Sequence, residues 1–473
     1  MSTIQAIREK IIQELPLWDQ PSISVGVVKE GEVILAEGFG YADQEKNLKA
    51  NQETLYQIGS CSKAFTAAAA ALLVDQGKLE WDRPVHEYLP WLEFKDPYTT
   101  AHATVRDLLC HRTGLPRHDA YWINGPCSRR EMVENLRNME PVWSFRSHWC
   151  YQNTCYVAVG MLIEALSGMS WEEFIQKNLL EPLGMHRTTF YVDAIRKDEN
   201  HAEPYSRVLP TDLKGYHKIS FLKSDREDMA QGIGAPYGPA GSIMSTVSDM
   251  CKWLLFNLQG GKVGDRQLIS EENMREIHKP NILMSEPLLV PFPEQDFYSY
   301  GMGWFLETYR GHMMVEHGGN IDGFSALVTM IPDQKLGVVC LTNFNNSFNT
   351  YATTYEIVDA YLGESNGEWH QRWPKIIGDI FAQNPENMKR MNGDPVPNTT
   401  PSHPLADYVG TYHNVCYGDI VITKQEDGLH FLYNKEESLL QHFHYDTFQI
   451  NNPTALFADM NIRFNTNRKG QVD

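Results

Sequence analysis

Two short apolar runs near the start of the chain carry the pattern of β-strands. Residues 22–28 and 33–36 flank a charged, glycine-containing turn, and this arrangement predicts a β-hairpin. Three further runs of apolar and β-branched residues, at 312–316, 324–330 and 336–342, are separated by turn residues. They predict that strands return late in the chain.

The sequence between these two groups of strands has helical periodicity. An alanine-rich apolar run follows residue 63, and residues 128–139, 154–178 and 245–258 repeat apolar positions at helical spacing. One antiparallel sheet built from both chain ends, with helices packed on it and a helical subdomain beside it, is the simplest arrangement of these elements. We therefore predict an α+β fold.

A change of composition divides the chain. Residues 1–362 contain the elements described above, whereas residues 363–403 are rich in Asn, Pro, Glu and Thr, as is typical of a linker. Short alternating segments then predict a small all-β domain over 404–473. The sequence stops shortly after a turn at Gly470, which leaves open whether this module is truncated.

Composition and charge narrow the choice of partners. The chain has 473 residues, 42% apolar and 21% charged, as in ordinary globular proteins. Its formal net charge of -19 argues against nucleic acid and anionic membranes as partners, because both repel an acidic protein. The longest apolar run, residues 67–74, is too short to cross a bilayer.

The N-terminal segment and the cysteines indicate the cellular compartment of the protein. The first ten residues form a mixed-charge amphipathic segment rather than a signal peptide. The eight cysteines are scattered, and none forms Cys-x-x-Cys, which favours reduced, buried thiols. These features predict a cytoplasmic protein, although export followed by removal of a signal stays open. We also expect no cofactor.

The first candidate for chemistry is Ser60-x-x-Lys63 at the start of the alanine-rich helix. Residues three apart share one helix face, so the two side chains can touch. The start of a helix favours negative charge, and burial of Lys63 would favour its neutral form, which can take a proton from Ser60. This arrangement would activate the serine as a nucleophile.

A plainer interpretation of this motif stays open. Ser60 could cap the helix while Lys63 lies at the surface. The pattern is also short enough to occur by chance, and a second copy is present at Ser220-x-x-Lys223 in a charged, irregular region. The motif alone therefore leaves both interpretations possible.

Two further clusters carry polar groups at predicted element boundaries. Tyr151 and Asn153 precede an apolar helix, where Tyr151 could act as general base or acid and Asn153 could bind a substrate amide. The alternative is an interfacial tyrosine with a capping asparagine.

The other cluster ends a predicted strand and consists of His317, Gly318, Gly319 and Asn320. The two glycines allow a ligand to approach the backbone closely. The N–H of Asn320 could then bind an oxyanion together with the N–H of Ser60.

The order Ser-x-x-Lys, Tyr-x-Asn, His-x-Gly over about 260 residues resembles the serine β-lactamase and penicillin-binding-protein superfamily. Within it, the class C β-lactamase-like branch of esterases, D-peptidases and carboxypeptidases is most similar. The resemblance covers roughly residues 10–360. Three further stretches, at 104–116, 181–185 and 239–246, look like landmarks of the same family. The tail at 404–473 looks like the small β-barrel domain often appended to this branch.

The resemblance implies a role for each motif. Ser60 would be the acylated nucleophile, Lys63 its proton acceptor, and Tyr151 the group that passes the proton to the leaving group. His317 takes the place of the lysine usual in true β-lactamases, which predicts weak β-lactam hydrolysis because a fixed positive charge is lost. Arg146, just before the tyrosine motif, also departs from the Pro-Gly turn common there.

One other motif has a metal-site pattern. His442-x-His444-x-Asp446 places alternating side chains on one face of a strand, as in the start of a hydrolase zinc site. It falls in the small C-terminal module, which lacks room for the surrounding fold. We therefore interpret it as a solvated strand and expect no metal.

The leading hypothesis is a serine hydrolase that forms an acyl-enzyme on Ser60 and cleaves a small ester, amide or D-peptide. The alternative is a non-catalytic, penicillin-binding-like sensor or scaffold. The sequence also makes His317 a candidate anchor for a substrate carboxylate. With an ordinary histidine pKa near ~6.5, such an anchor would lose affinity as the pH rises above about 7.

Overall fold

The computed structural model describes residues 3–123, 125, 127–207, 215–219, 235–287, 290–364, 367–451 and 460–473. The contacts divide the chain into two compact units. The first comprises the described residues within 1–117, 128–208 and 214–373, and the second those within 118–127, 209–213 and 374–473. The second copy of Ser-x-x-Lys, at 220–223, lies outside the described residues.

The first unit is organised around one antiparallel sheet. Across the sheet its described strands follow the order 282–283, 295–300, 305–309, 312–321, 324–331, 336–342, 22–29, 32–43 and 48–49, so the N-terminal hairpin pairs with the last strand of the unit. The predicted sheet built from both chain ends, and with it the α+β fold, is confirmed. The strands are Ser22–Lys29 (β1), Glu32–Asp43 (β2), Leu48–Lys49 (β3), Tyr56–Gln57 (β4), Tyr205–Arg207 (β5), Tyr216–Lys218 (β6), Met244–Ser245 (β7), Lys262–Val263 (β8), Arg266–Gln267 (β9), Ile282–Leu283 (β10), Gln295–Tyr300 (β11), Phe305–Tyr309 (β12), His312–Ile321 (β13), Phe324–Ile331 (β14) and Leu336–Thr342 (β15).

Helices pack on this sheet and form most of the segment between the early and late strands. Several of them begin at a side-chain cap; Thr104, for example, accepts from the N–H of Asp107, whose carboxylate accepts from the N–H of Thr104 in return. The helices are Thr3–Glu14 (α1), Ser62–Asp75 (α2), Val85–Tyr88 (α3), Pro97–His102 (α4), Val105–Leu109 (α5), Arg129–Glu134 (α6), Asn153–Ser167 (α7), Trp171–Ile175 (α8), Glu181–Leu183 (α9), Val192–Lys197 (α10), Gly238–Gly241 (α11), Val247–Leu258 (α12), Glu271–Ile277 (α13), Asn349–Leu362 (α14) and Trp369–Asn392 (α15).

Gly168 interrupts the helix expected over 154–178. It adopts a left-handed conformation with φ of 72°, which is why α7 ends at Ser167. Among the described residues, no single helix is long and apolar enough to cross a membrane. One bent pair of helices, Asn153–Ser167 with Trp171–Leu183, has that length and composition only when both are counted together.

The structure differs from the expected linker over 363–403. Most of this segment is the helix α15, because Trp369, Trp373 and Ile377 recur at helical spacing and are buried. Trp369 and Trp373 each make an edge-to-face contact with Phe292. A polar composition therefore concealed an amphipathic helix.

The second unit contains an all-β module. Its described strands pair in sequence order, and each pair is antiparallel. A core of aromatic and aliphatic side chains, including Tyr408, Phe431 and Phe448, fills one face. The strands are Gly410–Asn414 (β16), Gly418–Gln425 (β17), Gly428–Tyr433 (β18), Glu436–His444 (β19), Thr447–Asn451 (β20) and Asn461–Arg463 (β21).

Candidate active site

Ser60 lies in a tight turn at the start of α2. The turn Gly59–Cys61 is a 3₁₀ helix, and the α-helix itself begins at Ser62, two residues later than the sequence predicts. Gly59 has a φ of 50°, a left-handed value that suits glycine, and a Cβ there would come within 2.9 Å of the Asn320 nitrogen. The turn thus brings the backbone of Ser60 against strand β13.

Lys63 is fully buried one turn into the helix and contacts Ser60. Its Nζ lies 2.9 Å from Ser60 Oγ and donates a second hydrogen bond of 2.8 Å to the carbonyl oxygen of Ala240. The ammonium position is therefore fixed by α11 as well as by α2. The contact that the Ser-x-x-Lys spacing predicts is present.

Strand β13 has an edge beside this serine with which no other described strand pairs. Among the described strands, β12 pairs with β13 only as far as Glu316, so residues 317–321 extend beyond it and pair on one side with β14. Gly319 faces the serine turn at close range, because a Cβ there would lie 1.9 Å from the Ile58 oxygen and 3.0 Å from the Ser60 nitrogen. The backbone N–H groups of Ser60 and Asn320 thus belong to neighbouring segments.

Tyr151 stands between two positive side chains. Lys63 Nζ lies 4.7 Å from the centroid of its ring, and the Arg117 guanidinium carbon lies 5.1 Å from the same centroid. The ring of His111 packs against it at 4.3 Å. The ring of Tyr151 therefore lies between two basic side chains and an imidazole; its role in proton transfer stays a prediction.

Buried His111 holds the segment that carries this tyrosine. Its carbonyl accepts from the N–H of Cys150 at 2.7 Å, and its Nδ1 accepts from the N–H of Gln152 at 3.1 Å. Burial, reinforced by the positive charge of Lys63, lowers the pKa of His111 well below its ordinary value. The neutral imidazole thus accepts through Nδ1, as the hydrogen bond from Gln152 requires.

His317 is buried, with 2% of its surface exposed, and two contacts fix its tautomer. Its Nδ1 donates to the Gly318 carbonyl at 2.6 Å, so the Tyr300 hydroxyl, 2.9 Å from Nε2, is the donor there. Burial and the charge of Lys63 lower the pKa of His317 to about 3. The prediction that His317 is a carboxylate anchor titrating near its ordinary pKa is therefore wrong, since the imidazole is neutral above that value.

Asn153 occupies the first position of α7 and is buried, with 6% of its surface exposed. The helix is capped by Gln152 instead, whose side-chain oxygen accepts from the N–H of Thr154 at 3.0 Å.

Arg146, which stands where the family commonly has a Pro-Gly turn, stabilises the local structure. It adopts a left-handed φ of 64° and makes two hydrogen bonds to buried Asp107.

The predicted residues surround a cavity of about 540 Å³. Ser60, Tyr151, His317, Gly318 and Asn320 line it, whereas Lys63, Asn153 and Gly319 are not among its described lining residues. Aromatic side chains form much of the wall, and Arg117 is the one formally charged group of the described lining. The remaining lining residues are Pro116, Trp149, Cys150, Phe305, Asn346, Ser347, Phe348 and Tyr351.

Sequence reasoning missed several of these side chains. Arg117 directly follows the landmark at 104–116, and this adjacency was the available signal. Phe348 and Tyr351 reach the cavity from the start of α14, and no local pattern marks them. Cys61, beside the serine, is not a rival nucleophile, because burial raises the pKa of its thiol far above the ordinary value.

The described residues contain no cluster of three or more His, Cys, Asp or Glu side chains that could hold a metal. In the motif at 442–446, His442 Nε2 contacts the Tyr445 carbonyl, and Asp446 accepts hydrogen bonds from Ser402 and Tyr408. These side chains are thus engaged in local contacts of the all-β module.

Comparison with known proteins identifies two regions. Residues 10–361 match the family model "Beta-lactamase", and residues 394–473 match a domain of unknown function, DUF3471. The chain is 29% identical over 454 residues to unguisins hydrolase ungD of Aspergillus violaceofuscus, covering 89% of this chain and 77% of that protein. It is 26% identical over 383 residues to protein flp of Staphylococcus aureus strain N315, covering 76% and 70%.

A solved structure shares the fold. The octameric penicillin-binding protein homologue from Pyrococcus abyssi superimposes with a TM-score of 0.65 at 24% sequence identity, covering 98% of this chain and 96% of that one. The family model spans most of the unit that contains Ser60, Lys63, Tyr151 and His317. The chain belongs to the beta-lactamase family.

Proposed function

We propose that this protein is a serine hydrolase that forms an acyl-enzyme on Ser60 and cleaves a small ester or amide. One observation carries the proposal: the Nζ of fully buried Lys63 lies 2.9 Å from Ser60 Oγ, beside a cavity large enough for a small substrate. The hydrolase name of the ungD relative supports the same class.

The first half of the reaction breaks the scissile bond. Once it has lost its own proton, Lys63 takes the hydroxyl proton of Ser60 as Oγ bonds to the substrate carbonyl carbon. The N–H groups of Ser60 and Asn320 donate to the oxyanion that forms. The C–O or C–N bond then breaks, and the proton passes through Tyr151 to the departing oxygen or nitrogen.

The second half regenerates the serine. A water molecule gives a proton to the Lys63 and Tyr151 pair while its oxygen attacks the acyl carbon. The bond to Ser60 Oγ breaks, and the proton returns to Oγ. The acid and the free enzyme are the products, so atoms and protons balance over the cycle.

Substrates are small esters, amides or D-peptides, as handled by esterases, D-peptidases and carboxypeptidases. The aromatic walls of the cavity, among them Trp149, Phe305 and Phe348, favour an apolar group next to the scissile bond. Efficient β-lactam hydrolysis is not expected, because His317 is neutral where β-lactamases usually carry a lysine.

Fluorophosphonate labelling followed by peptide mapping tests the proposal. The probe should attach to Ser60 in folded protein, and Ser60→Ala should abolish both labelling and hydrolysis of a p-nitrophenyl ester without changing Tm. Ser220→Ala, in the other Ser-x-x-Lys motif, is the matched control and should leave both unchanged. An unlabelled Ser60 would contradict the proposal, and labelling without any turnover would favour the sensor or scaffold alternative.

A further inference from the structure

The cavity beside Ser60 has one formally charged side chain among its described lining residues, that of Arg117. This side chain is exposed, so a substrate that enters the cavity can reach it. His317 lines the same cavity as a neutral imidazole. The chain as a whole has a formal net charge of -19 and repels anions, so a cation in this cavity provides a local site that favours an anionic group.

The backbone that carries Arg117 is held against the segment that carries Tyr151. The carbonyl of Pro116, directly before Arg117, accepts from Gln152 Nε2 at 2.6 Å. Gln152 is buried and follows Tyr151 in the chain, and its side-chain oxygen caps α7. One glutamine side chain thus connects the peptide bond of Arg117 to the start of this helix, which fixes the point from which the arginine side chain extends.

The guanidinium of Arg117 lies near the groups that are proposed to react. Its central carbon is 5.1 Å from the centroid of the Tyr151 ring. Lys63 Nζ lies 4.7 Å from the same centroid and 2.9 Å from Ser60 Oγ. Arg117 and Lys63 therefore contact the same aromatic ring, and a small substrate bound at Ser60 can contact Arg117 with another of its groups.

The role proposed for Tyr151 indicates which part of the substrate lies near Arg117. Tyr151 passes a proton to the departing oxygen or nitrogen, so that atom must lie within hydrogen-bond reach of its hydroxyl. The remainder of the leaving group extends from this atom, and Arg117 contacts the ring of the same tyrosine. We therefore expect Arg117 to contact the leaving group rather than the acyl group.

A guanidinium is suited to bind a carboxylate. It is planar and has five N–H donors, two of which can bind both oxygens of one carboxylate. Five donors also allow Arg117 to keep contacts with neighbouring residues while it binds a substrate. Contact with the face of an aromatic ring uses the positive charge rather than the N–H groups, so the contact with Tyr151 orients the guanidinium without occupying its donors.

We propose that Arg117 is a specificity-determining residue that binds a carboxylate on the leaving group of the substrate. This inference rests on the proposed hydrolase function and narrows its substrate class to esters and amides whose alcohol or amine part carries a carboxylate. Arg117 thus has the anchoring role that the sequence suggested for His317. Because a guanidinium is charged at every pH used in an assay, this anchor does not depend on titration.

A matched pair of esters tests the role of Arg117. One is the benzoylglycine ester of racemic phenyllactate, and the other is the same ester with its carboxylate converted to a carboxamide. The parent should have a kcat/KM for the acidic ester about 10–100-fold above that for the neutral one. Arg117→Gln should remove most of this preference, and Arg117→Lys, which keeps the charge without the paired donors, should retain part of it. The ratio between the two esters cancels any effect of Arg117 on Tyr151.

Two further variants exclude general effects of substitution. Arg83 also lies over a tyrosine ring, that of Tyr88 at 4.9 Å, and is not among the described lining residues of the cavity. Arg83→Gln should therefore keep the parental preference. Arg117→Glu should hydrolyse the benzoylglycine ester of choline faster than the parent does, because a carboxylate would then face a cationic leaving group. A variant that fails to fold cannot show such a gain.

Binding to Ser60→Ala separates this inference from the hydrolase proposal, because that variant cannot be acylated. In a calorimeter it should bind the acidic ester at least about tenfold more tightly than the carboxamide, and Ser60→Ala/Arg117→Gln should bind both alike. Equal Kd values for the two esters in Ser60→Ala, a parental preference in Arg117→Gln, or no gain in Arg117→Glu would overturn the role of Arg117. Preferential binding of the acidic ester without any turnover by the parent would support Arg117 as the anchor and count against the hydrolase proposal alone.

Discussion

The imidazole of His111 packs on the ring of Tyr151 with a centroid separation of 4.3 Å, while its Nδ1 and carbonyl bind the backbone on either side of that tyrosine. His111 thus fixes both the ring of Tyr151 and the backbone on either side of it. A phenol that transfers protons must be held in one orientation, since small displacements in an active site cost much of the rate.

Substitution of His111 should therefore lower kcat more than it changes KM. His111→Leu loses the acceptor for the N–H of Gln152 and should reduce kcat about 10–100-fold. His111→Asn keeps an acceptor and tolerates the left-handed backbone, where φ is 61°, so it should recover part of the loss. Steady-state kinetics on a p-nitrophenyl ester measure both, with exposed His102→Leu as control. Equal loss in the leucine and asparagine variants would count against this positioning role.

Replacement of Lys63 should abolish turnover. Lys63→Ala removes the base beside Ser60 and should cost about 10³-fold or more in kcat and in the rate of fluorophosphonate labelling. Lys63→Arg should not restore activity, because a guanidinium is not deprotonated in proteins. Lys177→Ala is the control, and near-parental labelling of Lys63→Ala would show that another group activates the serine.

Much of the sheet follows directly from the sequence. The hairpin at 22–36 and the three late strands have alternating or β-branched runs bounded by turn residues, and period-two patterns translate into strands with little ambiguity. The Ser60–Lys63 contact also follows from local spacing, since a helix places residues three apart on one face.

The environment of His317 could not be predicted in the same way. Its neutrality depends on burial and on the hydroxyl of Tyr300, which comes from another strand of the sheet. The sequence shows a histidine at a strand end but not what covers it. For the same reason, Phe348 and Tyr351 were not recognised as cavity walls.

The helix α15 shows where composition misleads. Residues 363–403 are polar and contain prolines, yet Trp369 and Trp373 anchor the helix through burial against Phe292. Tertiary contacts of a few large side chains outweigh the low average apolar content. Spacing of tryptophans four residues apart was the signal that composition concealed.

Substitution of Gly319, even by alanine, should impair the protein. A Cβ there would lie 1.9 Å from the Ile58 oxygen, so Gly319→Ala must push β13 away from the serine turn. We expect slower labelling of Ser60 and a loss of about 1–3 kcal/mol in unfolding free energy. Gly378→Ala, where a Cβ meets nothing within 4 Å, is the matched control. Unchanged labelling in Gly319→Ala would argue against this close approach.

Buried His278 should make folding stability depend on pH. Burial lowers its pKa to about 4, below an ordinary value near ~6.5 in the unfolded chain. The unfolded state therefore binds more protons between these values, and stability contributed by neutral His278 is lost as the pH falls from about 6.5 to about 4.

The measurement compares the unfolding free energy of the parent and of His278→Phe at about pH 7 and pH 5. The parent should lose more stability than the variant on acidification, by an amount on the order of 1–3 kcal/mol. Exposed His102→Gln should behave as the parent. Parallel curves for the parent and His278→Phe would show that His278 titrates at its ordinary pKa.

The binding of carboxylate substrates should not depend on titration of His317. Its pKa is lowered to about 3 by burial and by the charge of Lys63, so it is neutral at every pH at which the enzyme would be assayed. Arg117 also lines the cavity and offers its guanidinium to a substrate carboxylate. KM for an acyl-D-amino acid should therefore stay flat from about pH 5.5 to about pH 9, as should KM for the matched neutral ester.

His317→Lys completes the comparison, because it inserts the cation that true β-lactamases usually carry at this position. The side chain at 317 is 2% exposed and receives the Tyr300 hydroxyl at 2.9 Å, so a lysine would bury a second ammonium near Lys63 and lose that contact. We expect a fall in unfolding free energy of more than about 3 kcal/mol and no gain in nitrocefin hydrolysis. A parental KM that rises above about pH 7 for the acidic substrate alone would instead show that His317 is protonated near its ordinary pKa and binds the carboxylate.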